Sequence, residues 1–258
     1  MEGYRELLSR GAKIAGAGAG GAAGALVGPE GAVLGAAVGA AVGELCVGVL
    51  DDLAQRYLSP KEQQRVGAVA SLSINAIRER RHWEQIRDDD FFDHDDDIPS
   101  PAEELFEGVL LTAKQEHEQL KLPYLANFYA GLVFDPGVKR SEANYLLGLA
   151  ETLTYTQLCL MGLVSERQSR KFCLREQVWI LGSNPSSENL SMEEQAKDLN
   201  RRQLFYRRVE VGPSAQPMKE AYALPAFTRL SSMGQRLADL MCLHTIDEAE
   251  LASAAKAW

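Results

Sequence analysis

The N-terminal stretch from Ile14 to Gly43 reads IAGAGAGGAAGALVGPEGAVLGAAVGAAVG and contains no charged residue except Glu30. Most of its glycines form two series with a spacing of four residues: Gly16, Gly20, Gly24, Gly28, and then Gly31, Gly35, Gly39, Gly43. Residues four apart lie on the same face of a helix, so each series predicts a strip without side chains that another backbone can approach closely. The sequence therefore predicts two helices, each with a glycine seam.

The segment Gly28-Pro29-Glu30-Gly31 separates the two series and is typical of a turn. We therefore predict an antiparallel glycine-zipper hairpin within a first domain, residues 1–57. A helical glycine costs about 1 kcal/mol relative to alanine, so this segment needs close packing against its other arm, a second copy or lipid-embedded neighbours. The uncharged run from Ile14 to Pro29 is shorter than the roughly 20 apolar residues of a spanning helix. We expect conditional membrane association rather than a permanent anchor.

Helix start signals recur along the rest of the chain. A hydroxyl residue followed three positions later by an acid or amide predicts a capped helix, and this pattern begins at Ser59, Ser100, Thr154, Ser191 and Thr245. With the hydrophobic pattern, we predict helices near 31–57, 60–84, 101–120, 123–134, 142–152, 155–165, 192–203, 232–243 and 246–256. The predicted fold is mainly α, with a helical bundle domain at residues 58–152.

Strand signals appear only late in the chain, at Lys171–Leu181, Phe205–Val211 and Tyr222–Leu230. They alternate with the predicted helices that begin near residues 155, 192 and 232. This order is compatible with a winged-helix-like module, so we predict a third domain of that kind at residues 153–258, with a few short strands.

The formal net charge of −9 argues against nucleic acid as a partner, because affinity for phosphate comes from clustered Lys and Arg. A basic cluster with two aromatic residues in the C-terminal module suits protein contacts equally well: Arg201, Arg202, Phe205, Tyr206, Arg207 and Arg208. The four cysteines form no CxxC pair, which predicts free thiols in a reducing cytoplasm. The Ala/Gly character of the N-terminal stretch and the acidic Glu30 argue against a secretory signal peptide.

An aspartate-rich stretch, Asp88–Asp97, is the first candidate for a binding site. Asp93, Asp95 and Asp97 alternate as at the start of a calcium loop, and Glu104 stands at the twelfth position. The glycine that a calcium loop requires after the third acid is absent. We therefore expect a solvated acidic loop, with divalent-ion binding as the alternative, and ion pairs between these acids and the basic residues from Arg78 to Arg87.

Motifs that would carry catalysis are missing from the sequence. It contains no GxxxxGK[ST] phosphate loop and no GxSxG nucleophile elbow, and only His82 follows a glutamate with the spacing of a di-metal carboxylate site. We therefore expect no resident cofactor and no enzymatic activity.

The order of features resembles the bacterial abortive-infection alpha-type proteins, a phage-defence family. The resemblance covers most of the chain and rests on the Gly/Ala-rich leader and three short motifs: Pro123-Tyr124-Leu125-Ala126-Asn127-Phe128-Tyr129-Ala130, Leu153-Thr154, and Leu230-Ser231 followed by Gly234 and Leu237. It implies a role in halting infected cells through membrane damage, and it supplies no catalytic residues.

The sequence thus favours a non-enzymatic, membrane-active or self-assembling effector of anti-phage defence. The expected partners are copies of the chain itself, membrane lipid and a protein trigger, and the expected location is the cytoplasm with conditional membrane association. The alternative is a soluble sensor or adaptor whose hairpin is an oligomerisation element and whose C-terminal module binds a partner.

Overall fold

The structure is a computed structural model that describes residues 6–11, 40–94, 98–167, 169–170, 172–176, 184–207 and 224–258. The chain divides into two compact units, Met1–Thr152 and Leu153–Trp258. Within the described ranges both units are helical, and the strands comprise three residues each, so the predicted mainly α fold is confirmed.

The first unit contains residues 6–11, which are helical, and five further helices: α1 (Ala40–Gln55), α2 (Pro60–Arg80), α3 (Pro101–Gln115), α4 (Leu122–Phe134) and α5 (Arg140–Thr152). The predicted cap at Ser59 is confirmed, since its hydroxyl accepts from the Glu62 N–H while the Glu62 carboxylate accepts from the Ser59 N–H at 2.7 Å. Ser100 caps α3 through its hydroxyl, which accepts from the Glu103 N–H.

The core of the first unit forms where α2 packs against α3 and α4. Helix α4 has the sequence LPYLANFYAGLVF, which is apolar on nearly every face, and a helix of this composition is stable only when protein surrounds it. Accordingly Phe128 and Tyr129 are fully buried, and the Tyr129 ring lies 4.6 Å from that of Phe106 on α3. Burial raises the pKa of the Tyr129 hydroxyl well above its usual value.

Helix α3 ends at Gln115, five residues before its predicted end. Glu116 leaves the helix with extended backbone and forms an ion pair with Lys121, and both side chains are almost completely buried. The Glu116 carboxylate also accepts from the Glu118 N–H at 2.8 Å. This buried pair stabilises a turn where the sequence pattern predicts continued helix.

The second unit contains α6 (Tyr155–Glu166), α7 (Ser187–Arg201), α8 (Ser232–Leu240), α9 (Glu248–Ala257) and the strands β1 (Phe205–Arg207) and β2 (Thr228–Leu230). The strands pair antiparallel, with Phe205 opposite Leu230. Helix α6 lies at the centre and packs against the other three helices. The centres of the Phe205 and Trp258 rings lie 5.9 Å apart in a stacked arrangement, which attaches the strand pair to the C-terminal end of the unit.

Two predicted caps in this unit are wrong. Helix α7 begins earlier, because Ser186 and Asn189 form a reciprocal capping box that places Ser191 inside the helix. Helix α9 is capped by Asp247, while Thr245 lies in a preceding 3-10 turn.

The strand predictions hold only in part. Residues 172–176, in the first half of the predicted strand Lys171–Leu181, are not in a strand, and the rest of that range lies outside the described residues. The predicted strand Tyr222–Leu230 is a strand only from Thr228, because Pro225 begins a 3-10 turn directly before it.

Candidate functional site

Most of the predicted glycine seam, from Gly16 to Gly39, lies outside the residues that the structure describes. Gly43 is described and is buried in α1. The seam therefore remains a prediction, and the structure instead defines how the chain is attached on either side of residues 12–39, called here the Gly/Ala-rich segment.

Helix α1 attaches the C-terminal side of this segment to the first unit. It packs on α3 through one face that is at most 8% exposed and comprises Val42, Leu45, Cys46, Val49, Leu50 and Leu53. Burial raises the pKa of the Cys46 thiol to about 12. On the solvent side Arg56, directly after the helix, pairs with Asp52 at 2.5 Å and with Glu107 of α3 at 2.6 Å. From Ala40 onward, the predicted second hairpin arm is an amphipathic helix that contacts protein.

Residues 6–11 attach the N-terminal side of the segment to α2. Leu7 and Leu8 are 3% and 0% exposed, and Gly11 is buried against Gly67. A Cβ added to Gly67 would overlap the Leu7 carbonyl oxygen, and one added to Gly11 would overlap the backbone of Gly67 and Ala68. Only glycine fits at both positions, so the two helical backbones touch directly.

The contact between Gly11 and Gly67, called here the glycine crossing, was missed by the sequence analysis. Gly67 stands outside the four-residue series, although a glycine among the small and apolar residues of VGAVA is a signal for close backbone approach. Beside the crossing, Arg10 donates to the Gln63 side chain and pairs with Glu6.

The predicted ion-binding acids are only partly described. Asp93 is exposed, whereas Asp95 and Asp97 lie outside the described residues. The Glu104 carboxylate accepts from Arg140 and, at 2.6 Å, from Asn144, and the hydrogen bond from Arg140 lowers the pKa of Glu104. Among the described residues, no group of three or more His, Cys, Asp or Glu side chains is arranged to hold a metal ion. The divalent-ion alternative stays a prediction.

The predicted ion pairing between the basic and acidic stretches is confirmed at Arg87. Its buried guanidinium donates twice to the Asp89 carboxylate, at 2.6 Å each, and to the carbonyls of Leu132 at 3.1 Å and Val138 at 3.2 Å. It also lies 4.2 Å from the centre of the Phe91 ring. The hydrogen bonds from Arg87 lower the pKa of Asp89 to about 2. Arg87 thus joins the chain after α2 to the end of α4 and to the loop before α5.

An open cleft of about 560 Å³ lies beside this guanidinium and is lined by Arg87, Asp90, Phe91, Pro101, Lys139, Arg140, Ser141 and Asn144. Each of its three cations pairs with a carboxylate: Arg87 and Lys139 with Asp89, and Arg140 with Glu104. The carboxylate of Asp90 in the lining adds a third negative charge, so the three cations leave little net charge to attract an ionic ligand.

In comparisons with known proteins, the chain matches no family model, no curated protein and no solved structure. Among the described residues, no single helix has the length and apolar composition that crossing a membrane requires; α5 and α6 meet that requirement only when counted together.

Proposed function

We propose that the protein is a non-enzymatic effector that acts by self-assembly through its Gly/Ala-rich segment, with conditional insertion into membranes. The observation that supports this most is the attachment on both sides of the segment. Residues 6–11 pack on α2, and α1 packs on α3, so both flanks of the segment belong to the same compact unit. Any structure that it enters must accept a segment whose two flanks remain on one side.

The number of residues between the two attachments favours assembly over insertion of a single copy. Residues 12–39 comprise 28 residues. Two helical arms of about 14 residues each would rise roughly 20 Å, which is less than the roughly 30 Å hydrocarbon core of a bilayer. While α1 stays packed, a lone copy therefore spans a membrane poorly. Copies that pack along their glycine seams would give each seam the close backbone contacts that it needs. Together they would locally thin the bilayer.

The setting that we propose is bacterial anti-phage defence, as the resemblance to the abortive-infection alpha-type proteins implies. The protein would reside in the cytoplasm, with copies of itself as its main partner and a protein as its trigger. The first unit carries both flanks of the segment, which supports a role as its scaffold, and the activity would arise when copies meet.

A substitution in each predicted seam tests the proposal. We expect Gly20→Leu and Gly35→Leu to abolish self-association in sedimentation velocity and dye leakage from anionic liposomes, because a leucine side chain separates backbones that glycine allows to touch. Gly48→Leu is the matched control: this glycine of α1 is exposed, and an added Cβ meets no atom within 4 Å. If both seam variants assemble and release dye as the control does, the proposal is wrong.

A second candidate function is a soluble sensor or adaptor whose winged-helix-like C-terminal module binds a partner protein. It is favoured by the exposed apolar residues of the second unit, where Leu190, Tyr206 and Phe227 are 50%, 49% and 42% exposed. Vesicle flotation of the full chain separates the two candidates. The second candidate is supported if the full chain stays in the soluble fraction at every lipid composition. It should then behave like the variant in which a Gly/Ser linker replaces residues 14–38.

A further inference from the structure

The two attachments of the Gly/Ala-rich segment differ greatly in extent. On the C-terminal side, α1 buries six apolar side chains over sixteen helical residues. On the N-terminal side, the described residues 6–11 bury two apolar side chains, Leu7 and Leu8, and the backbone of Gly11. Buried apolar area is the main source of such attachment, and local opening begins where least of it is buried. Of the two attachments as the structure describes them, we therefore expect residues 6–11 to separate from α2 before α1 separates from α3.

The glycine crossing is the most demanding contact of the N-terminal attachment. It depends on direct approach of two backbones at Gly11 and Gly67, and it has no room for a methyl group on either side. Contacts of this kind are short in range, and a gap of about 0.5–1 Å already loses a quarter to a half of their energy. A methyl group on either glycine would therefore push the two backbones apart and weaken the crossing.

Polar contacts add little that would hold residues 6–11 in place. The Arg10–Glu6 pair lies within the same helical segment, and its side chains are 40% and 63% exposed. Exposed pairs of this kind contribute little to stability and are screened by salt. Among the described residues 6–11, the hydrogen bond from Arg10 to Gln63 is the side-chain hydrogen bond that reaches α2. The attachment rests mainly on Leu7, Leu8 and the glycine crossing.

We propose that residues 6–11 form a releasable latch: the glycine crossing restrains the start of the Gly/Ala-rich segment on α2, and loss of the crossing frees the segment for assembly with other copies. This inference rests on the proposed function, because it assigns the control step of that same assembly. The latch keeps isolated copies inactive, and its rupture lets them associate.

Alanine substitutions in the full-length protein test the latch. Gly11→Ala and Gly67→Ala each place a methyl group into the crossing, from opposite sides. Gly148→Ala on α5 is the matched control, since an added Cβ there meets no atom within 4 Å. Limited trypsin digestion reports on the latch directly, because Arg10 lies inside it and precedes the buried Gly11. We expect cleavage after Arg10, followed by mass spectrometry, to be at least about tenfold faster in both latch variants than in the control.

A second measurement connects the latch to assembly. We expect both latch variants to self-associate at a protein concentration about tenfold lower than the wild type and the control, because a restrained state no longer competes with assembly. Amide exchange in α3 and α4 verifies that the first unit remains folded. Should Gly67→Ala lose that protection, Gly11→Ala decides, since its methyl group is added to the latch and not to α2.

The outcomes distinguish the latch from the function that it controls. Unchanged cleavage after Arg10 in the folded variants overturns the latch. Faster cleavage with an unchanged concentration for assembly overturns its control of assembly. The proposed function fails separately, when Gly20→Leu and Gly35→Leu assemble as the wild type does, whatever the latch variants show.

Discussion

Replacing Arg87 with methionine removes every hydrogen bond that the buried guanidinium donates while retaining a long side chain. In the native protein this group is 1% exposed, and it donates to Asp89 and to the carbonyls of Leu132 and Val138. Leu132 belongs to the last turn of α4, whose carbonyls lack partners within the helix. Arg87→Met leaves the carbonyls of Leu132 and Val138 without this donor, and it leaves Asp89 without its main partner.

The expected loss of stability follows from these contacts. Removing one member of a buried ion pair costs about 3–5 kcal/mol, because the remaining charge loses its compensation. A buried carbonyl left without a donor costs about 1–3 kcal/mol. The two contributions overlap, and water reaches Asp89, which is 22% exposed. We expect Arg87→Met to lower the free energy of unfolding of the first unit by about 4 kcal/mol.

Native-state amide hydrogen exchange measures this loss separately for each unit. Protection of the α4 amides should fall, while that of the α6 amides in the second unit stays unchanged and serves as an internal reference. Arg56→Met is the control substitution, because Arg56 also pairs with two carboxylates but its side chain is 43% exposed. Its expected cost is below about 1 kcal/mol. Equal losses of α4 protection in the two variants would refute the reasoning that burial makes the Arg87 contacts strong.

Two further predictions concern pH and backbone packing. The pKa of Asp89 is about 2 in the folded protein against an ordinary value of 3.8. Its contribution to stability is therefore complete above about pH 5 and is lost as the pH falls through about 2. We expect acid urea titrations to show a loss of about 1–2 kcal/mol that Asp89→Asn lacks. Gly234 in α8 faces the Leu204 carbonyl, where an added Cβ would overlap, whereas Gly148 has open space. Thermal unfolding should therefore show that Gly234→Ala lowers the Tm of the second unit by several degrees. Gly148→Ala should leave the Tm of the first unit unchanged or raise it. A Gly234→Ala variant as stable as the wild type would show that α8 can move away from Leu204 without cost.

Local sequence signals predicted the helices well because they depend on residues within one turn. The caps at Ser59, Ser100 and Thr154 follow from a hydroxyl and a partner three positions later, and all three form. The wrong prediction at Ser191 has the same local origin, because the Ser186–Asn189 capping box begins the helix earlier. Here two local signals competed, and the hydrophobic pattern did not distinguish them.

Local sequence signals did not predict the contact that forms the candidate site. The glycine series drew attention to residues 16–43, but the contact that the structure describes joins Gly11 to Gly67, which stand 56 positions apart. Both residues lie outside the series, and the local signal at Gly67 does not identify Gly11 as its partner. Their importance comes from two helices crossing at that point, and this crossing depends on the packing of the whole unit.

The sequence by itself determined that the chain is mainly helical, where most of the described helices begin, and that the basic stretch Arg78–Arg87 would form ion pairs with the neighbouring aspartates. These properties arise from contacts between residues close in the chain. Only the tertiary structure decided that α1 packs on α3, that Gly11 meets Gly67, and that Lys121 is buried at 2% exposure beside Glu116. Such contacts join residues that come together only when the helices pack, and their free energy depends on burial that no local pattern encodes.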